Sequence, residues 1–414
     1  MEKSNFNRFL LLWFGEIVSS IGGGLTSFGL GVYVFDLTGS AGKMAIITLI
    51  GFLPTLILSI PAGALADKYD RRILMMLGDG LSALGVIYIL VCMLMGRVGF
   101  FDICLGVFIS AVFSSLLEPS YRATVTDLLT EDEYAKASGL VSMAGSARYL
   151  VSPMVAGLLL AVCDVSVLLI IDISTFVLTV ITTYVVKKDI HKKSVTEKEN
   201  LIQGIVSGWK ALRNSRGVFI LVIVSALLTL FIGVFQILAE PMILSFEDAK
   251  TLGVAETICA SGMLVSGMIL GVKGLKNNYV KILSGSLALA GILIAFFGVW
   301  ENVIVMAIFG FGFFFMLPFA NSSLDYLVRT NIPDDLQGRV WGFVGFLSQI
   351  GYVIAYGVSG ILADGIAYVS NISVGRGAAV VTGISGAALF VVAFLPVCIK
   401  SIRDLENKEK MLQV

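Results

Sequence analysis

Lone ionisable side chains inside long apolar stretches are the residues of this 414-residue chain best suited to chemistry, and they are Glu16, Arg148, Asp172 and Glu240. A charge in such a stretch costs about 2.5 kcal/mol or more, and residues that bear this cost commonly bind ions or relay protons. We therefore expect a cavity where proton uptake, foremost at Glu16, competes with a second ligand. The alternative is a static buried ion pair between Glu16 and Arg148.

The sequence neighbours of two acidic residues, Glu118 and Glu240, refine this hypothesis. Glu118 also lies in an apolar stretch, but it stands four residues before Arg122, which predicts a local ion pair. Glu240 is followed by Pro241, which interrupts a helix and would open backbone groups to the same cavity.

The sequence offers few residues for catalysis, metal binding or redox chemistry. His191 is the only histidine and lies among lysines, and the five cysteines occur singly, without metal or redox spacing. No Gly-x-x-x-x-Gly-Lys-Ser/Thr phosphate loop is present, so ATP is not the expected energy source. The formal net charge is zero, which gives no footprint for nucleic acid. We expect no enzyme, no metal site and no cofactor, with a proton gradient as the energy source.

The elements that position these residues must be membrane helices. The chain is 57% apolar and 14% charged, and its mean hydropathy is +0.93, which excludes a soluble globular class. A hydrocarbon core of ~30 Å takes ~20 helical residues to cross. Twelve segments are long enough: 9–35, 44–66, 73–95, 100–121, 137–163, 165–186, 217–245, 252–272, 280–300, 302–326, 338–364 and 375–399.

A polar, lysine-rich stretch divides these segments six and six. The sequence thus predicts an all-α membrane protein with twelve transmembrane helices as two six-helix bundles, at 1–186 and 217–402, a cytoplasmic linker at 187–216 and a cytoplasmic tail at 403–414. A shift of 203 residues places Tyr149 and Gly157 on Tyr352 and Gly360, as expected of a parallel repeat.

Basic residues indicate the orientation. With both termini cytoplasmic, the outer connections hold only Lys43, Arg97, Lys250 and Arg376, and the other loop lysines and arginines lie inside. This asymmetry predicts a multi-pass protein of a cell membrane with both ends in the cytoplasm.

The short loop between the second and third segments carries a further motif, Gly63-Ala-Leu-Ala-Asp67-Lys-Tyr-Asp-Arg71-Arg72. Asp67 and Arg71, four residues apart, are expected to pair with each other or to reach another helix end. The stretch resembles the signature loop of the major facilitator superfamily, with Asp70 where that family usually has Gly. The resemblance implies a gating role for Gly63, Asp67, Arg71 and Arg72, and the twelve-helix fold.

The fifth segment contains Gly145, Ser152, Pro153 and Gly157, and Pro153 predicts a kink with close packing. This set resembles the antiporter signature of drug exporters, which ends in Gly-Pro-x-x-Gly-Gly. Three stretches of the first segment and the loop after it resemble macrolide-efflux-like permeases: Leu12-Trp13-Phe14-Gly15, Leu25-Thr26-Ser27-Phe28 and Phe35–Ser40. The resemblance implies a bacterial protein, although Gln is more usual than Glu at position 16.

These resemblances imply a secondary active transporter that exports a hydrophobic or amphipathic compound, drug-like or macrolide-like, in exchange for protons by alternating access. The expected partners are a small-molecule substrate, protons and the lipid bilayer, and the sequence is compatible with a monomer. A facilitator for a lipid, a siderophore or another metabolite is the alternative within transport. A membrane sensor or scaffold without transport is the alternative outside it.

Overall fold

The computed structural model describes residues 5–130, 133–187, 209–210, 212–213, 215–275, 277–332 and 337–412. Within these ranges all regular structure is helical. The first half contains α1 (Phe6–Thr38), α2 (Ala41–Lys68), α3 (Arg71–Leu94), α4 (Phe100–Ser114), α5 (Leu117–Leu128), α6 (Tyr134–Leu150), α7 (Ser152–Leu160) and α8 (Val165–Lys187). The second half contains α9 (Arg216–Leu244), α10 (Ala249–Lys273), α11 (Tyr279–Phe297), α12 (Val303–Arg329), α13 (Gln337–Ser370), α14 (Val374–Val392), α15 (Leu395–Cys398) and α16 (Lys400–Leu412). Most of the predicted linker, 188–208, lies outside the described residues.

Twelve helices or helix pairs of the described chain are long and apolar enough to cross a membrane. This confirms the predicted fold class. Apolar side chains such as Ile57, Ile60 and Leu94 are exposed on the helix surfaces, as expected of side chains that face lipid.

Two of the twelve spans are interrupted at a proline. The fourth consists of α4 and α5, and Pro119 lies in the first turn of α5; the fifth consists of α6 and α7, and Pro153 lies in the first turn of α7. Proline lacks an N–H and its ring crowds the carbonyl four residues earlier, so each helix ends just before it. The kink predicted in the fifth span is present.

The chain forms two compact units. The first contains residues 1–39, 46–196 and 248–257, and the second contains 40–45, 197–247 and 258–414. Each unit therefore includes a short segment from the opposite half of the sequence, at the beginning of α2 or of α10. The domain boundaries derived from the sequence stay a prediction.

Glycines let α1 and α8 approach closely in the first unit. A Cβ added at Gly22 would lie 2.5 Å from Oγ1 of Thr175 and 2.8 Å from Oδ1 of Asp172, and one added at Gly29 would lie 2.6 Å from Leu168. Gly22 and Gly29 are seven residues, or about two turns, apart and so share one face of α1. This face brings the polar residues of α8 directly against α1.

Aromatic packing forms the core of the second unit. The ring centroid of Phe235 on α9 lies 4.7 Å from that of Phe297 and 4.8 Å from that of Phe313 on α12. Phe313 and Phe297 are almost completely buried. Phe313 therefore packs within the protein and is not available to line a substrate path.

The short segments from the opposite half meet their units in a similar way. In the first unit, a Cβ on Gly157 of α7 would lie 2.7 Å from the Ala249 carbonyl oxygen of α10. In the second unit, a Cβ on Gly360 of α13 would lie 2.5 Å from the Ala41 carbonyl oxygen of α2. Gly157 and Gly360 are the pair aligned by the 203-residue shift, so each repeat uses the same position for a close backbone contact.

Candidate functional site

Asp172 is the central polar residue of the first unit. Its side chain is almost completely buried, and the Thr26 hydroxyl of α1 donates a hydrogen bond of 2.6 Å to its Oδ2. The Thr175 hydroxyl lies 3.5 Å from Oδ1 but donates chiefly to the Asp172 carbonyl oxygen at 2.7 Å. No nitrogen of a described lysine or arginine lies within salt-bridge distance of this carboxyl group.

Arg148 was expected to be a buried charge because it lies within an apolar segment, but it is not buried. Its side chain is exposed on α6, and its Nη2 lies 3.5 Å from the Ser27 hydroxyl of α1. Its charge attracts Asp172 without a direct contact. No ion pair between Glu16 and Arg148 exists in the described part of the chain, so the static pair considered from the sequence is not formed here.

Glu16 lies on α1 and is partly buried. Its field acts on Tyr121 of α5 and on Asp79 of α3, so three helices contribute to one polar region. The Tyr121 hydroxyl is buried and has no hydrogen-bond partner among the described residues. Glu118 pairs with Arg122 at 2.8 Å on an exposed face, which confirms the predicted local pair.

Sequence reasoning missed Asp79. This residue is 3% exposed, and its Oδ1 has no hydrogen-bond partner among the described residues. The signal was present in the sequence, since Asp79 is a single acid between Gly78 and Gly80 inside the apolar segment 73–95. The glycine at 78 leaves room for α5, because a Cβ there would lie 3.0 Å from Leu117.

Glu240 belongs to the second unit and is partly buried in α9, directly before Pro241. Proline is accommodated inside α9 without ending the helix, which continues to Leu244. The expected interruption at this point is therefore absent, and the correction is that the helix passes through Pro241.

In the loop between α2 and α3, Arg71 pairs with Asp127 and not with Asp67. Arg71 Nη1 lies 2.6 Å from Asp127 Oδ1 at the end of α5, and Arg72 Nη2 lies 3.7 Å from Asp127 Oδ2. Arg71 thus reaches another helix end, one of the two possibilities derived from the sequence. Asp67 is exposed and has no hydrogen bond or ion pair with any described residue.

Asp70 caps α3 in this loop. Its Oδ1 accepts a hydrogen bond of 3.0 Å from the Arg72 backbone N–H, and its φ is −68°. An aspartate fits this position because it requires a side-chain acceptor and not a positive φ. Gly63 lies near the end of α2, with open space around its Cα.

Some residues of the antiporter-like motif pack closely against other helices, and Gly145 does not. The Ser152 hydroxyl donates a hydrogen bond of 3.0 Å to the Ile21 carbonyl oxygen of α1, and Ser152, Pro153 and Gly157 are buried. Gly145 is exposed, and a Cβ there would meet no atom within 4 Å. The close packing predicted for the motif is found at its second half only.

The described residues contain no group of three or more His, Cys, Asp or Glu side chains that could hold a metal ion. Twelve helices or helix pairs that can cross a membrane, with buried carboxyl groups among them, are typical of a polytopic membrane protein of the transporter class.

The chain belongs to the major facilitator superfamily, since the model of that family matches residues 12–356. Macrolide efflux protein A of Streptococcus pyogenes is 26% identical over 378 residues, which cover 88% of this chain and 92% of that protein. The multidrug efflux pump Tap of Mycobacterium tuberculosis is 24% identical over 382 residues, which cover 88% of each chain. The predicted family is confirmed.

Solved structures share the fold. A bacterial homologue of the iron transporter ferroportin has a TM-score of 0.72 at 14% identity, covering 94% of this chain and all of that one. The nucleoside transporter NupG has a TM-score of 0.69 at 15% identity, covering 95% of this chain and 98% of that one. At these identities the likeness concerns the fold alone.

Proposed function

We propose that this facilitator exports a hydrophobic or amphipathic compound and couples export to the entry of protons. The export half of the proposal rests on the similarity to proteins named for macrolide and multidrug efflux, which extends over 88% of the chain. Alternating exposure of a substrate site is the transport mode that this fold supports.

The proton half rests on one observation, the buried Asp172 carboxyl group, which Thr26 contacts and which no lysine or arginine of the described residues neutralises directly. A carboxyl group so placed is costly when charged, and a change of its surroundings during the cycle would alter its proton occupancy. Glu16 shares the same polar interior, and the exposed Arg148 supplies a nearby positive field. Glu240 is the corresponding candidate in the second unit.

The proposal also covers the membrane orientation, the energy source and the number of chains in the transporting unit. We infer from the excess of lysine and arginine on one side that both termini lie in the cytoplasm of a bacterial cell. A proton gradient supplies the energy without a cofactor, and one chain is the transporting unit. The gating loop and the antiporter-like motif then act on the exchange between conformations.

Transport by the purified protein in liposomes tests this function. With an imposed pH gradient, we expect a labelled macrolide or a hydrophobic fluorescent amine to accumulate on the acidic side above the level reached in protein-free liposomes. Glu16→Gln and Asp172→Asn should bind the probe but not concentrate it, whereas Glu118→Gln should behave as the unmodified protein because its pair is exposed. If the unmodified protein moves the probe equally with and without a pH gradient, proton coupling is rejected. Absence of probe binding would reject the substrate class.

A further inference from the structure

Asp79 is a buried carboxyl group that the proposed function does not use. It lies on α3, about 12 Å from the helix start at Arg71 if each residue rises ~1.5 Å. The side chain is 3% exposed and α3 packs there against α5 and α8. Substrate cannot reach an atom so enclosed.

The charges around Asp79 are acidic. Glu16 of α1 and Asp172 of α8 are the charged groups whose fields act on it. On α3 itself, the buried Arg72 is two turns away and its Nη2 faces Asp127 at 3.7 Å. An ionised carboxylate at position 79 would therefore be desolvated and repelled at the same time.

Among the other titratable groups on helices packed against α3, Asp102 and Glu118 have partners elsewhere. Asp102 of α4 accepts hydrogen bonds from the Tyr88 hydroxyl and the Gly99 N–H at the opposite end of α3. Glu118 of α5 pairs with Arg122. The Tyr121 phenol of α5 is affected by Glu16.

The hydrogen bonding of the Asp79 carboxyl group fits a neutral acid. Oδ1 of Asp79 has no partner among the described residues, which a neutral C=O tolerates better than a charged oxygen does.

We propose that Asp79 is a proton-binding site that is occupied in this conformation and releases its proton during transport. On release, the O–H bond breaks, the electron pair stays on the carboxylate oxygen and the proton passes to water. This inference rests on the proposed proton coupling, which it extends from Glu16 and Asp172 to a third carboxyl group. A proton is the ligand that fits, because the described residues offer no metal-binding group and Asp79 has almost no exposed surface.

Infrared difference spectroscopy of the purified protein between neutral and alkaline pH tests proton occupancy directly. We expect the C=O stretching band of a protonated carboxylic acid, lost in Asp79→Asn and unchanged in Glu118→Gln. Asn has nearly the shape of the neutral acid, so Asp79→Asn should fold. Asp79→Glu keeps a carboxyl group at this position, so it should shift the same band and provides the test if Asp79→Asn does not fold. A spectrum in which neither variant alters the band would overturn the proposal.

A transport assay separates the role of Asp79 from the proposed function as a whole. A pH difference of about one unit supports about tenfold accumulation for one exchanged proton. Asp79→Asn should reduce that ratio to about one while downhill movement of the probe continues. Full accumulation by Asp79→Asn would overturn the proposed role even if the infrared band is lost. If the unmodified protein shows the Asp79 band but no pH-driven accumulation, the proposed function fails and the role of Asp79 in transport fails with it.

Discussion

The Asp364 carboxylate of α13 accepts a hydrogen bond of 2.6 Å from the Ser40 hydroxyl, although 324 residues separate the two in sequence. The backbone N–H groups of Ala41 and Gly42 donate to the same carboxylate at 2.9 Å and 3.0 Å. These N–H groups belong to the first turn of α2 and have no acceptor within their own helix. Asp364 therefore caps α2 and places a negative charge at its positive end.

Removing this cap should destabilise the second unit, to which all four residues belong. We expect Asp364→Ala to cost about 1–2 kcal/mol, and Asp364→Asn to cost less because an acceptor oxygen remains. Thermal unfolding in detergent measures the difference. Asp325→Ala is the control, since among the described residues Asp325 pairs with the exposed Arg329 alone, at 3.4 Å, a contact of little energetic value. Equal effects of the two alanine variants would contradict the capping role.

Two adjacent glycines of α1 should respond oppositely to alanine. Gly22→Ala places a methyl group against Asp172 and Thr175, and we expect it to cost about 1–3 kcal/mol by overpacking. Gly23→Ala meets no atom within 4 Å and should stabilise the helix by up to about 1 kcal/mol. Comparison of the two unfolding midpoints isolates the contact between α1 and α8. A stable, fully active Gly22→Ala protein would show that the two helices are farther apart than described.

The loop between α2 and α3 provides a prediction about turnover. Asp127→Asn removes the partner of both Arg71 and Arg72 and should slow transport more than it weakens substrate binding, because the contact joins helix ends. The loop motif also predicts slower turnover for Asp67→Asn, although Asp67 contacts no described partner. Initial transport rates and equilibrium binding of the same probe separate the two effects. Unchanged rates in both well-expressed variants would remove the gating role of this loop.

Membrane orientation is testable by thiol labelling of intact cells. In a background without the five native cysteines, single cysteines at Lys43, Arg97, Lys250 and Arg376 should react with an impermeant reagent. A cysteine at Lys68 should react only after the membrane is opened. The physical reason is the retention of basic loops in the cytoplasm. The reverse labelling pattern would invert the topology.

The membrane fold was predictable from the sequence, because an apolar segment of about 20 residues has no stable alternative to a spanning helix in lipid. The sequence also identified the family through the loop at Gly63–Arg72 and the motif around Pro153. The local pair of Glu118 with Arg122 was predictable as well, since four residues on a helix fix the distance between two side chains.

The contacts between groups distant in sequence were not predictable and became visible in the packed helices. Spacing along the chain gives no distance between α1 and α8, so the contact of Thr26 with Asp172 depends on glycines that let these helices approach. The same limit applies to Asp127 as the partner of Arg71, and to Asp364 as the cap of α2. Asp79 was visible as a lone acid in an apolar segment, but its burial required α3 to pack against α5 and α8. The physical reason is that local patterns determine helices, whereas the surroundings of a buried charge are made by residues far away in sequence.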